Sequence, residues 1–270
     1  MIQDHFWFTF GPLFFVNAFI VVSLVVFIVI SRHRPKTAEI EERHSSIILN
    51  KWIREFWMWL LEPIFRFFIF FHISPNAISI TGCVVAIFSA AAFAVGHFGL
   101  GGWLMVLGAS LDFFDGRVAR ATNRCTQAGS FIDSCLDRVS EGLTLTGLAF
   151  FYRDSFIFWV VMLAYLGSML TSYTKAKGET MGVAYSGGMM QRPERIAYLG
   201  AGGILAPVFA YALFPLLFPR FPQLTLLGLV GYVYLIPLFF VTVLSNVAAL
   251  NRMINIMRIL DKQKVTGSKM

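Results

Sequence analysis

Apolar positions in this chain fall in unbroken blocks, not in the alternation of a half-buried sheet or the single stripe of a soluble helix. The blocks lie near 12–30, 76–95, 101–121, 127–151, 155–176, 194–217 and 225–250. Each is close to the ~20 residues that an α-helix needs to cross about 30 Å of hydrocarbon. One stretch has a different pattern. Lys51 to Phe71 is rich in Trp and Phe but also holds Arg54, Glu55, Glu62, Pro63 and Arg66, a mixture that suits a helix lying in the membrane interface. Ser74-Pro75-Asn76 then opens the next helix, with a polar residue before it and Pro in its first turn.

The pattern predicts an all-α polytopic membrane protein. A six-helix transmembrane bundle occupies 74–252, preceded by an N-terminal transmembrane anchor and linker (1–46) and an interfacial amphipathic helix (47–73). A basic tail (253–270) follows. The first block is read as an anchor because no Lys or Arg precedes it and no small-residue cleavage site follows. No internal repeat and no second soluble domain are visible.

Composition excludes other classes. The 270 residues are 57% hydrophobic and 14% charged, with a mean hydropathy of +0.70, whereas a soluble domain carries about 25% charged residues. A net charge of +7 raises nucleic acid as a partner, but its distribution argues for a membrane. The turns near 96–100, 152–154 and 218–223 hold only Arg153 and Arg220. Arg32, Arg34, Lys36, Arg43, Lys175, Lys177, Arg192, Arg252, Arg258, Lys262, Lys264 and Lys269 fall on the other side. The positive-inside rule therefore places the N-terminus outside and the C-terminus in the cytoplasm, with membrane lipids and not nucleic acid as the basic residues' partners. Cys83, Cys125 and Cys135 form no CxxC pair, so neither a disulfide framework nor a zinc site is expected.

The chemistry gathers in one place. Asp112 and Asp115 are spaced i, i+3, and Asp133 and Asp137 i, i+4, so each pair shares a helix face. The polar run Thr122–Gln127 between them permits a hairpin that aims four carboxylates at one point. Charges within apolar spans cost at least ~2.5 kcal/mol each, so these need partners or a task. Two divalent cations would balance four carboxylates. All-oxygen ligands favour Mg²⁺, Mn²⁺ or Ca²⁺ over zinc, and two such ions suit displacement at phosphorus. Gly116 and Gly129 either let a bulky group approach the backbone or are small residues at a helix crossing.

Asp112-x-x-Asp115-Gly116-x-x-Ala119-Arg120, eight residues, then Gly129-x-x-x-Asp133-x-x-x-Asp137 resembles the signature of the CDP-alcohol phosphotransferases at every specified position. The six-helix frame and the interfacial helix are also similar to that family, whereas residues 1–46 depart from its minimal pattern. The resemblance implies an enzyme of phospholipid biosynthesis that moves a phosphatidyl group from CDP-diacylglycerol to a small alcohol and releases CMP. It implies two Mg²⁺ or Mn²⁺ ions on Asp112, Asp115, Asp133 and Asp137, with Asp137 also the general base. The CDP site would comprise Asp112, Gly116, Ala119, Arg120 and Gly129, with Arg120 meeting the diphosphate or pairing with an aspartate. A homodimer in the bacterial inner membrane, its site facing the cytoplasm, is implied too.

Lys175, Lys177, Arg192 and Arg195 are candidates for the acceptor. Arg192 and Arg195 flank Pro193 at a predicted helix N-terminus, where the dipole is already positive. That is unfavourable unless an anion sits there or Glu194 compensates. Ser172-Tyr173…Lys175-Ala176-Lys177 followed by Arg192-Pro193-Glu194-Arg195 is similar to the phosphatidylinositol-phosphate synthase branch, which implies an inositol phosphate acceptor. Glycerol 3-phosphate or an unphosphorylated alcohol is the alternative within the family. A cation channel or transporter with intramembrane aspartates is the alternative from another class. Glu141, one turn past Asp137, is expected to pair locally with Arg138, and Asn246 to hydrogen-bond between helices.

Overall fold

The computed structural model describes the backbone of residues 2–31, 51–183, 188–221 and 223–267, and the side chains of 16–30, 52, 55–183, 188–221 and 223–262. The predicted linker at 32–46, Gly187, and the side chains of Arg54, Lys264 and Lys269 lie outside the described residues. The described residues form eight helices and no strand: α1 (Ile2–Ser31), α2 (Lys51–Phe70), α3 (Pro75–Ala94), α4 (Phe98–Ala121), α5 (Gln127–Phe151), α6 (Ile157–Thr180), α7 (Arg192–Leu217) and α8 (Leu226–Gly267).

Local chemistry fixes the boundaries. Ser74 Oγ accepts the Ala77 amide (3.3 Å) at the start of α3, and Thr126 Oγ1 accepts the Gly129 amide (2.9 Å) at the start of α5. Helix α4 ends with Asn123 left-handed (φ 55) and the Arg124 amide bonded back to Ala119 O (2.9 Å), a closure that satisfies the last carbonyls. Gln191 and Glu194 form a reciprocal cap on α7. Helix α8 runs 42 residues, past the end of the expected span at 250, and Ile256 in that extension packs on Gly178 of α6.

Among the described residues, four helices are long and apolar enough to cross a membrane: α3, α6, α7 and α8 as far as Lys262. The protein is an integral membrane protein. The predicted count of six spans plus an anchor is not reproduced by length and apolarity alone. Helices α4 and α5 have the length, 24 and 25 residues, but Asp112, Asp115, Arg117 and Arg120 on one, and Asp133, Asp137, Arg138 and Glu141 on the other, dilute their apolar character. The described part of α1, Val16–Ile30, is apolar but shorter.

The chain divides into two compact units. The first comprises Met1–Val84 with Leu107–Asp137. In it, Leu61, Ile78, Phe114 and Val118 form a buried cluster joined by Trp57, Phe65 and Phe68, so α2 is docked on α3 and α4. Polar ties fix that docking: Trp57 Nε1 donates to Ser110 Oγ (3.1 Å), and Arg117 Nη2 donates to Glu62 Oε2 (2.8 Å). The Arg117 guanidinium also lies 3.9 Å over the Phe65 ring. Phe27 of α1 sits among Trp52, Phe56 and Trp59.

The second unit comprises Val85–Val106 with Arg138–Met270. Its core includes Phe93, Phe98, Leu145, Leu148, Val161, Leu199, Tyr234 and Leu238. Close crossings there need glycine: a Cβ on Gly147 would collide with the backbone of Ala90, and one on Gly102 would lie 2.5 Å from Gly200 O. Asn246 Nδ2 of α8 donates to Leu163 O of α6 (2.9 Å), the interhelical role expected of it.

Candidate functional site

The site is built within the first unit, where the C-terminal half of α4 and the N-terminal half of α5 are joined by the turn at 122–126. Helical spacing puts Asp112 and Asp115 on one face of α4, and Asp133 and Asp137 on one face of α5. Asp112, Asp133 and Asp137 each offer a carboxylate oxygen, and these oxygens all lie within 4.8 Å of one another. All three side chains are half-buried. Asp115 is turned differently. It is only 4% exposed, and Ser79 Oγ of α3 donates to its Oδ2 at 2.5 Å. Three convergent, all-oxygen donors fit a hard divalent cation such as Mg²⁺ or Mn²⁺.

The two glycines of the site contrast with those of the helix crossings. A Cβ on Gly116 would meet only the tip of Arg120, at 3.4 Å. One on Gly129 would meet Thr126 Oγ1 at 3.0 Å and Asn76 Oδ1 at 3.6 Å. Neither glycine is pressed against another helix's backbone, so the crossing explanation does not apply to them. Gly116 leaves room on the helix of Asp112 and Asp115, whereas the space at Gly129 is bordered by the side chains of Thr126 and Asn76. Arg120 is exposed, and among the described residues it makes no ion pair with an aspartate. Ala119 is half-buried on the same helix.

The expected acceptor residues belong to the second unit. Lys175 and Lys177 are exposed and Arg192 is half-buried. Arg195 is 1% exposed and fully engaged in the fold: Nε and Nη2 donate to Glu141 Oε1 (2.5 Å) and Oε2 (2.8 Å), and Nη1 donates to Met190 O (2.7 Å). Two expectations change as a result. Glu141 pairs not with Arg138 but with Arg195, 54 positions away. The charge of Arg195 is balanced by Glu141, and Glu194 caps the helix, so Arg195 gives no reason of its own for a bound anion. Ser79 escaped the sequence reading. Its hydroxyl, one turn into a helix that also holds Asn76, Thr81 and Ser89, carries no distinguishing local signal.

An all-helical membrane protein with a carboxylate cation site on a helical hairpin is the class that fold and site define. The chain belongs to the CDP-alcohol phosphatidyltransferase family, which it matches over residues 72–254, and it is a transferase. Among its relatives is the phosphatidylinositol phosphate synthase of Streptomyces avermitilis, 34% identical over 174 residues that cover 62% of this chain and 70% of that protein. An uncharacterised Aquifex aeolicus protein is 34% identical over 170 residues, 62% of this chain and 86% of the relative. The fold is shared with the Mycobacterium tuberculosis phosphatidylinositol phosphate synthase crystallised with CDP-DAG, with a TM-score of 0.58 at 23% identity over 72% of this chain and 92% of the other. The crystal structure of that synthase with manganese and citrate gives a TM-score of 0.59 at 22% identity, covering 72% and 88% of the two chains.

Proposed function

We propose that this protein transfers the phosphatidyl group of CDP-diacylglycerol to a phosphorylated alcohol of the inositol phosphate type, releasing CMP. The observation that carries the reading is the convergence of Asp112, Asp133 and Asp137 on the hairpin that also carries Gly116, where a side chain would meet only the tip of Arg120. Relatives named as phosphatidylinositol phosphate synthases support the acceptor class.

Asp112, Asp115, Asp133 and Asp137 would hold two Mg²⁺ or Mn²⁺ ions. When bound, the ions supply positive charge to the diphosphate and to the leaving phosphate. The chain's own part is positioning and proton transfer. Asp137 accepts the proton of the acceptor hydroxyl as its oxygen bonds to the phosphatidyl phosphorus. The bond from that phosphorus to the bridging oxygen breaks, and CMP departs with the electron pair. Gly116, Ala119 and Gly129 make room for the cytidine, and Arg120, which makes no ion pair among the described residues, faces the diphosphate. Lys175, Lys177 and Arg192 attract the acceptor's phosphate. Arg195, held by Glu141, acts as the strut that fixes the start of α7.

In this reading residues 74–252 are the catalytic bundle and 47–73 its interfacial helix, with 1–46 an anchor and 253–270 a cytoplasmic tail. The site faces the cytoplasm of a bacterial inner membrane, as the loop charges favour, and the protein works as a homodimer. The test is incubation of the purified protein with CDP-diacylglycerol, Mg²⁺ or Mn²⁺, and inositol phosphate, glycerol 3-phosphate, inositol or serine in turn, following CMP and the lipid product. Inositol phosphate should give the highest kcat/KM. Asp133→Asn and Asp137→Asn should each abolish CMP release while the protein still inserts and purifies. Full turnover in both variants would remove the mechanism, and a preference for glycerol 3-phosphate would replace the acceptor.

A further inference from the structure

The first turns of α3 form a third wall of the aspartate site, outside the signature carried by α4 and α5. Asn76, Ser79 and Gly82 recur every three residues along one stripe of that helix. At one end of the stripe, Asn76 Oδ1 lies 3.6 Å from the place of a Gly129 Cβ. At the other, a Cβ on Gly82 would lie 3.2 Å from Gly108 O and 3.6 Å from the Cβ of Leu111, so α3 and α4 cross closely there. Ser79 stands between them, 7% exposed, with its hydroxyl on the Oδ2 of Asp115. Its other acceptor is the carbonyl of Pro75 one turn back, at 3.2 Å.

A hydroxyl is costly at such a place unless it is bonded, and alanine would fill the same crossing without that cost. The carboxylate it faces is the one member of the aspartate set that does not join Asp112, Asp133 and Asp137 in their group. We infer that Ser79 is a positioning residue: by holding Oδ2 of Asp115 it fixes the rotation of that carboxylate and commits Oδ1 as the atom presented to the cation. Outer-shell hydrogen bonds of this kind orient ligands that would otherwise have to be ordered at the moment of binding. The inference rests on the reading of Asp115 as a metal ligand given above.

The experiment is an electron paramagnetic resonance titration of Mn²⁺ into the purified full-length protein, alongside the kcat and donor KM of CMP release at saturating Mn²⁺. Ser79→Ala should raise the Mn²⁺ dissociation constant about tenfold or more, and Ser79→Thr, which keeps the hydroxyl, should return it to within about threefold of the parent. The kcat of Ser79→Ala should fall while the donor KM stays unchanged. Parental Mn²⁺ affinity and kcat in a folded Ser79→Ala would overturn the inference. Should that variant fail to fold, Ser79→Cys decides, since it keeps the shape of the side chain, slightly enlarged, with a much weaker donor. A tenfold loss of affinity there supports the role, and parental affinity overturns it. Asp115→Asn separates the two levels. If it leaves Mn²⁺ binding intact, the reading of Asp115 as a ligand fails; if it weakens binding while Ser79→Ala does not, only the inference about Ser79 fails.

Discussion

Glycine in this chain serves two purposes that the residue type alone does not distinguish. Gly147 and Gly102 lie where the backbone of another helix occupies the space a side chain would fill, whereas Gly116 meets only the flexible end of Arg120. The first kind is a packing requirement and the second is free volume beside a charged site. Gly147→Ala should therefore destabilise the protein by about 1–3 kcal/mol, the usual cost of overpacking, read as a lowered Tm in detergent. Gly116→Ala should leave Tm unchanged and raise the KM for CDP-diacylglycerol. Equal loss of Tm in both variants would show that Gly116 is a packing residue and that the nucleotide lies elsewhere.

Helices are joined in this protein by a few ion pairs set among apolar contacts. Glu141 of α5 and Arg195 of α7, 2% and 1% exposed, form the most buried of the pairs seen among the described residues. Breaking such a pair leaves one charge uncompensated, which costs about 3–5 kcal/mol, whereas replacing both partners with apolar groups of similar volume is often neutral. Glu141→Gln should lower Tm sharply, and Glu141→Leu combined with Arg195→Met should recover much of the loss. Additive losses in the double variant would mean that the two side chains act separately. The pair also marks the limit of what the sequence discloses. The aspartates were legible because i, i+3 and i, i+4 spacing on a helix fixes a shared face. The helix ends were legible because Ser74, Thr126 and Gln191-x-x-Glu194 carry their own capping chemistry. Ser79 with Asp115, Glu62 with Arg117, and Glu141 with Arg195 are separated by 36, 55 and 54 positions. No local period connects such partners; only the packing of one helix on another does. For the same reason the dipole of α7, which left an anion or Glu194 as the balancing charge, does not disclose that a glutamate on α5 balances Arg195.

At the scale of the whole chain the question is how much of it the catalytic fold requires. The family match begins at residue 72, yet α2, which precedes it, covers Phe114 and Val118 of the signature helix with Leu61, Trp57, Phe65 and Phe68. It also supplies Glu62, the partner of Arg117 next to Gly116. Removing α2 would uncover that face of α4 and leave Arg117 without its counter-charge, in the helix that carries Asp112 and Asp115. Helix α1 touches the same unit differently. Phe27 meets aromatic rings of α2, while Phe19, Val22, Val25 and Val29 are exposed. Acyl chains can replace apolar contacts of that kind at little cost, because lipid is as apolar as the side chain it displaces. A chain starting at Lys51 should therefore purify as a monodisperse protein with its CMP release intact. One starting at His72 should lose both Tm and turnover, and Glu62→Gln in the full chain should cost about 1 kcal/mol, as a partly exposed ion pair does. If the chain from Lys51 is as inactive as the one from His72, the anchor belongs to the catalytic unit. If the chain from His72 is fully active, α2 is a membrane-surface contact and not a support for α4.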